Sequence, residues 1–177
     1  WFPLQGLIRR FKPNYRPPQP RHETQQGIDV WFPRFLSLPG AARWLDGFFM
    51  ALSCLPLVRR LRRERGINLL DSHFAYPEGY AATLLGRWLN LPVTITLRGT
   101  EVPLARDPAR RKRMLRAIHE ASRVFAVADS LKRHVVSLGA NPDKIRVVGN
   151  GVDCHKFFPI DRASAREKLG LPQDAKI

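Results

Sequence analysis

The chain has 177 residues, 44% of them hydrophobic, with thirty Lys and Arg against fifteen Asp and Glu and a formal net charge of +15. That apolar content excludes a disordered tail and is enough for one domain with its own core. Two cysteines, Cys54 and Cys154, exclude a disulfide framework and fit a reducing compartment, and the longest apolar run, Phe48 to Val58, is too short to cross a membrane.

Trp1-Phe2-Pro3 has neither an initiator Met nor a signal-peptide pattern, so a piece of a longer protein is expected. Residues 1–40 hold seven of the fifteen prolines and no helical period. Pro17, Pro18 and Pro20 predict a stiff extended segment. Gly27 to Phe32 predicts one short strand after a turn, so the region reads as a long loop followed by an edge strand. In residues 41–65, Trp44, Leu45, Phe48, Phe49, Leu52 and Leu55 recur at helical spacing, predicting one helix or two joined at Pro56. Arg59, Arg60, Arg62, Arg63 and Arg65 follow directly. An apolar stretch with a cationic end fits a membrane interface; a helix packed on a sheet is the favoured reading.

From residue 67 a regular rhythm begins. Strands are predicted at 67–71, 93–97, 124–127 and 145–148, with helices at 78–90, 108–120 and 130–138. Pro108 opens the second helix. Asp129 or Ser130 caps the third, and Gly139 closes it. Strands alternating with helices predict right-handed crossovers and a parallel sheet. The apolar strands predict a sheet covered on both faces.

In such sheets, ligands bind past the carboxyl ends of the strands. Four loops therefore form the candidate site: Ser72-His73-Phe74, Arg98-Gly99-Thr100-Glu101, Ala128-Asp129-Ser130 and Gly149-Asn150-Gly151. His73 is suited to a sugar hydroxyl or a phosphate. Arg98 presents a planar fork of donors for phosphate or carboxylate, and Gly99 allows close backbone approach. Glu101 either orients Arg98 or accepts from a hydroxyl; a plain Arg–Glu pair stiffening the loop is the competing reading. The helix start at Asp129 and Ser130 offers free N–H groups to an anion and is equally a plain cap. A second basic run, Arg106, Arg110, Arg111, Lys112, Arg113 and Arg116, reads either as a solvated helix face or as an anion-attracting rim.

Common cofactor signals are missing. Gly149-Asn150-Gly151 begins like a dinucleotide fingerprint but has Cys154 at the third glycine position and no helix to open. The five histidines lack metal-ligand spacing, and Cys154-His155 is read as incidental.

Ala128-Asp129-Ser130-Leu131-Lys132, then Gly139-Ala140, then Lys144 to Asp153 with its Asn150-Gly151-Val152-Asp153 turn, then Phe157-Phe158-Pro159, resembles the end of the N-terminal domain of family 4 glycosyltransferases. Asp71 to Gly79 resembles the family's histidine-containing strand end, and Thr96 to Glu101 its His-Gly-x-Asp loop. The resemblance spans residues 67–172 well and 1–66 loosely. It departs at Arg98, where the family usually has His, and at Glu101, where it has Asp. A guanidinium binds charge but is no base at neutral pH.

The resemblance implies an α/β fold, a Rossmann-like parallel sheet flanked by helices, as in the N-terminal half of a GT-B glycosyltransferase. It implies an incomplete acceptor-side domain at 1–158, with 159–177 leading into a truncated donor domain whose first strand begins near Ile177. The whole enzyme would move a sugar from a nucleotide-sugar donor to a glycan or lipid-linked acceptor with retention. It would use no metal or other cofactor, and would work in the cytoplasm or peripherally at the inner face of a membrane. The implied substrate-binding residues are His73, Arg98, Gly99, Thr100, Glu101, Asp129, Ser130, Asn150 and Gly151, with His73, Arg98 and Glu101 nearest the chemistry. An anionic membrane surface is an expected partner and nucleic acid is not. The alternatives are a sugar-nucleotide epimerase of the same fold and a basic nucleic-acid-binding module.

Overall fold

A computed structural model describes residues 5–12, 14, 19–38 and 42–176. The expected extended segment at Pro17 and Pro18 and the strand start at Ile177 lie outside these residues. In chain order the elements are α1 (Gln5–Phe11), β1 (His22–Gln25), β2 (Ile28–Trp31), α2 (Asp46–Arg65), β3 (Leu70–His73), α3 (Tyr80–Leu89) and β4 (Val93–Leu97). They continue with α4 (Glu101–Leu104), α5 (Pro108–Glu120), β5 (Arg123–Ala126), α6 (Asp129–Ser137), β6 (Ile145–Val147) and α7 (Arg162–Lys168).

The α/β expectation holds. Strands β3 to β6 form one parallel sheet in sequential order. Sequential order with right-handed crossovers places α3, α5 and α6 over the same face. That face carries the core: Val93, Ile95, Leu97, Val124, Ala126 and Ile145 of the strands meet Leu84, Leu85, Met114, Ile118, Leu131 and Val135 of the helices. Among the described residues the opposite face is largely uncovered. Asp71, His73, Arg123 and Arg146 are exposed there, and Thr94, Thr96 and Phe125 are half-buried. The expected coverage on both faces is therefore corrected, because the strands alternate and β4 is buried only at every second residue.

Several local expectations also change. The first forty residues contain helix α1 and a two-stranded antiparallel hairpin, not a loop and an edge strand of the main sheet. Gln26 and Gly27 both take positive φ, 49° and 82°, the two-residue turn that suits a hairpin's twist. α2 is one helix running through Pro56 and ends at Gly66 in the left-handed region. It packs chiefly on α3 and the segment 75–79. The hairpin lies on its outer side, where Arg65 pairs with Asp29 and Arg60 and Arg65 sit over the Trp31 ring. Arg62 donates to the Leu89 carbonyl at the end of α3. Much of the first basic run thus fastens neighbouring elements. The cap of α6 is Ala128, with no side-chain hydrogen bond, in place of Asp129 or Ser130. Gly139 follows the helix at φ 105°, as expected of its closing residue.

Close packing of α3 on the sheet depends on Gly86. A Cβ there would overlap Val93 Cγ2 and stand 2.8 Å from the Leu91 carbonyl oxygen. In an open helix Gly→Ala stabilises by about 0.5–1 kcal/mol. Here Gly86→Ala is expected to destabilise by about 1–3 kcal/mol in urea unfolding. A gain in stability would contradict this helix–strand approach.

Candidate functional site

The loops after β3 and β4 meet over one side chain. Glu101, at the start of α4, has no exposed surface. Its Oε1 accepts from the Ala75 N–H at 3.0 Å and its Oε2 from the Gly99 N–H at 2.8 Å. A buried carboxylate is tolerated when charge-assisted hydrogen bonds satisfy it. Gly99 has φ 114°, which strongly favours glycine. Just upstream, Phe74 has φ 68° and ψ 139°, a costly conformation for a residue with a side chain. Its backbone is tied on both sides, N–H to the Thr96 carbonyl at 2.8 Å and carbonyl to the Gly79 N–H at 3.0 Å. A Cβ on Gly79 would stand 2.8 Å from that same Phe74 oxygen.

Above this support lies a polar chain that crosses three strand ends. Arg98 Nε donates to His73 Nδ1 at 2.9 Å, and an Arg98 terminal nitrogen donates to Asn150 Oδ1 at 3.4 Å. A guanidinium can only donate, so His73 accepts at Nδ1 and carries its proton on Nε2. That nitrogen lies 3.6 Å from Asp71 Oδ2, and Asp71 Oδ1 accepts from the Thr94 hydroxyl. Thr94, Asp71, His73, Arg98 and Asn150 form one run along the open face and the carboxyl edge of the sheet. All but the half-buried Thr94 are exposed, so the run is open to a ligand.

Beside it is a groove of about 490 Å³ lined by Phe74, Tyr76, Pro77, Glu78, Thr100, Pro103, Leu104 and Arg110. Burial pushes the half-buried Glu78 carboxyl above its ordinary range, helped by the nearby Glu101 carboxylate and opposed by the backbone N–H of Glu78 itself. Arg110 is held by Asp107, whose carboxyl also caps α5 by accepting from the Ala109 and Arg110 N–H groups. The groove offers apolar walls with one carboxyl and one guanidinium. Among the described residues, no three His, Cys, Asp or Glu side chains converge as metal ligands.

Of the residues anticipated from the sequence, the fold links His73, Arg98 and Asn150 directly, and Gly99 with Glu101. Thr100 borders the groove. Glu101 does not pair with Arg98; it turns inward to backbone N–H groups while Arg98 reaches outward across β3. Asp129 is paired along its own helix with Arg133. Among the described residues no hydrogen bond joins Asp129, Ser130 or Gly151 to the His73–Arg98–Asn150 run, although all lie past strand ends. His73 is the last residue of β3, two residues beyond the expected strand end at Asp71. Asp71 is then on the same face two residues earlier, a signal readable from strand alternation. Glu78, Tyr76 and Arg110 had no such signal, because the groove forms only when α4 and α5 close on the segment 75–79.

The family model described as Glycosyltransferase Family 4 matches residues 10–156. A Bacillus subtilis (strain 168) protein, named TuaC as a teichuronic acid biosynthesis glycosyltransferase, is 26% identical over 174 residues, covering 96% of this chain and 44% of that relative. A Mycobacterium tuberculosis (strain ATCC 25177 / H37Ra) D-inositol 3-phosphate glycosyltransferase is 46% identical over 61 residues, 34% of this chain and 13% of its own. Among solved structures, Anabaena Alr3699/HepE in complex with UDP superposes with a TM-score of 0.56 at 16% identity, over 77% of this chain and 35% of that one. Its complex with UDP-glucose gives a TM-score of 0.54 at 16% identity with the same coverage. The chain therefore spans less than half the length of these relatives, and its fold is that of the N-terminal half of a GT-B enzyme.

Glu101→Ala leaves two N–H groups without their acceptor and is expected to cost about 2 kcal/mol or more in urea unfolding. Unchanged stability would contradict the bridging role. Glu78→Gln tests the groove. The folded carboxyl titrates above its unfolded value, so the native state binds the proton more tightly and loses stability as pH rises through the carboxylate range. The variant should be more stable than the parent at pH 7, with an advantage that vanishes in acid once Glu78 is protonated. An equal difference at both pH values would contradict it.

Proposed function

The chain belongs to glycosyltransferase family 4, and on that premise we propose that it is the acceptor-side domain of a retaining hexosyltransferase. In this reading residues 1–158 carry the acceptor cleft and 159–177, with α7, lead toward a donor half. The donor is a nucleotide sugar, in keeping with the UDP and UDP-glucose complexes of Alr3699/HepE. The acceptor is a glycan or a lipid-linked sugar of cell-envelope polysaccharide synthesis, in keeping with the teichuronic acid role in TuaC's name. No metal, further cofactor or nucleic acid takes part. The domain works on the cytoplasmic side, peripherally at the inner face of a membrane.

The observation that carries the reading is Arg98 spanning His73 and Asn150 at the carboxyl edge of the sheet. In the transfer, the acceptor hydroxyl oxygen bonds the anomeric carbon as the bond from that carbon to the diphosphate oxygen breaks. The hydroxyl proton departs with the nucleoside diphosphate. Arg98 and Asn150 position the acceptor, His73 donates through Nε2–H, and Glu101 holds their loop in place. Thr100, Asp129, Ser130 and Gly151 border the same edge. Catalysis on this plan is positioning plus stabilisation of the leaving charge. Because Arg98 is a permanent cation, the acceptor it favours is anionic. The inositol phosphate in one relative's name fits that preference.

In the complete enzyme, Arg98→Ala should lower acceptor kcat/KM by about tenfold or more while leaving the donor KM in place. An unchanged acceptor KM and rate would sink this assignment.

A further inference from the structure

We propose that the cavity between α2 and the segment leaving β2 is a second ligand site, which takes a small soluble phosphate monoester with an apolar organic part. The cavity measures about 480 Å³ and receives Arg21, Arg34 and Arg60 from three separate stretches of chain. That volume lies within the range of small-molecule sites, roughly 300–1,000 Å³. Phe32, Pro33 and Leu57 are half-buried and line the same space. Two hydrogen bonds build it. The Phe32 N–H donates to the Arg21 carbonyl at 3.0 Å, and the Ser53 hydroxyl donates to the Arg34 carbonyl at 2.9 Å. The first sets Arg21 beside the end of β2, and the second fastens Arg34 to α2. Arg60 comes from α2 itself, with its guanidinium carbon 6.0 Å from the centre of the Trp31 ring.

Little neutralises the three guanidiniums. Among the described residues no Asp or Glu lines the cavity. The acids of the surrounding elements are engaged: Glu23 accepts from Gln25, Asp29 is held by Arg65 and His22, and Glu64 stands 3.8 Å from Arg60 one turn along α2. Arg34 donates to the Gln19 carbonyl at 3.4 Å, a long bond to a neutral group that leaves its charge uncompensated. Guanidinium forks match phosphate oxygens in pairs. A phosphate monoester carries about −1.5 to −2 at pH 7, whereas a diester carries a single charge. Clustered cations without an acid among them therefore favour the monoester. The apolar walls and the volume exceed what a bare phosphate fills, so the ligand has an organic body. The cavity shares no lining residue with the groove beside Glu78 and includes none of His73, Arg98 and Asn150. It is thus separate from the carboxyl edge of the sheet.

The inference goes beyond the transferase reading and does not rest on it. Its test uses three probes: phenyl phosphate, the diester methyl phenyl phosphate, and inorganic phosphate. The isotope-labelled chain is titrated with each at about 0.1 M salt, where charges more than about 10 Å apart are screened. The signals followed are the Trp31 indole N–H and the arginine Nε–H groups. Phenyl phosphate should give saturable shifts at Trp31, Arg21, Arg34 and Arg60. Its Kd should be about fivefold or more below those of the diester, which lacks a charge, and of inorganic phosphate, which lacks the apolar body. Arg21→Gln with Arg34→Gln should weaken phenyl phosphate about tenfold or more; both side chains are exposed, so circular dichroism should stay that of the parent. Leu57→Ala should weaken phenyl phosphate and leave inorganic phosphate unchanged. Arg98→Ala should leave the Trp31 shifts as they are. No saturable shift at these residues, equal affinity for the diester or for inorganic phosphate, or full binding by the Arg21/Arg34 variant would overturn the proposal. So would loss of the Trp31 shifts in Arg98→Ala, which would assign the ligand to the sheet edge.

Discussion

Glu101 is the constraint on which the rest of the site depends. A carboxyl group with no exposed surface is costly unless its oxygens are satisfied, and here two backbone N–H groups satisfy them. One of those groups follows β3 and the other follows β4. The carboxylate therefore locks two strand-end loops together, with His73 and Arg98 just outside them. Phe74 is held in its unfavourable backbone from both sides, its N–H donating to the Thr96 carbonyl and its carbonyl accepting from the Gly79 N–H, while the adjacent Ala75 N–H is fixed to Glu101. The groove beside Glu78 is a consequence of the same closure.

The sheet decides where chemistry can occur. Strands in sequential order place the three crossover helices on one face, and the apolar core is built there. The other face keeps Asp71, His73, Thr94, Arg123 and Arg146 accessible. Arg98 stands at the corner between that face and the carboxyl edge and bonds to both. The edge thus gathers the Arg98 guanidinium, the His73 imidazole and the Asn150 amide above the buried Glu101 carboxyl. Around this centre the two basic runs have different roles. Part of the first fastens the hairpin and α3 to α2. In the second, Arg110 is held by Asp107, Arg116 by Glu120 and Arg113 lies over Trp44, while Arg106, Arg111 and Lys112 stay exposed.

The sequence was most readable where local chemistry and tertiary need agreed. β4 and α5 have the residue bounds expected of them, because Val93 to Leu97 is a β-branched run ended by Arg98-Gly99, and Asp107-Pro108 opens a helix by cap and fixed φ. α1, β1 and the four residues of α4 are too short to show a period. The open face went unread because Thr94 and Thr96 sit comfortably in a strand whether or not a helix covers them. The membership of His73, Arg98 and Asn150 in one place followed from the rule for parallel sheets. What each bonds to did not. The partners of Glu101 are illegible for a general reason: they are backbone N–H groups, which every residue carries, so no sequence pattern marks them.

The central claim is that the carboxyl edge around Arg98 receives a sugar bearing negative charge. The most direct measurement is a titration of the isotope-labelled chain with glucose 1-phosphate, followed residue by residue in amide and side-chain NMR spectra. The account predicts saturable shifts at His73, Arg98, Gly99 and Asn150, with the His73 Nε2–H tautomer visible in its ring nitrogens. Shifts confined to the basic faces of α2 and α5, with the strand-end loops unmoved, would contradict it.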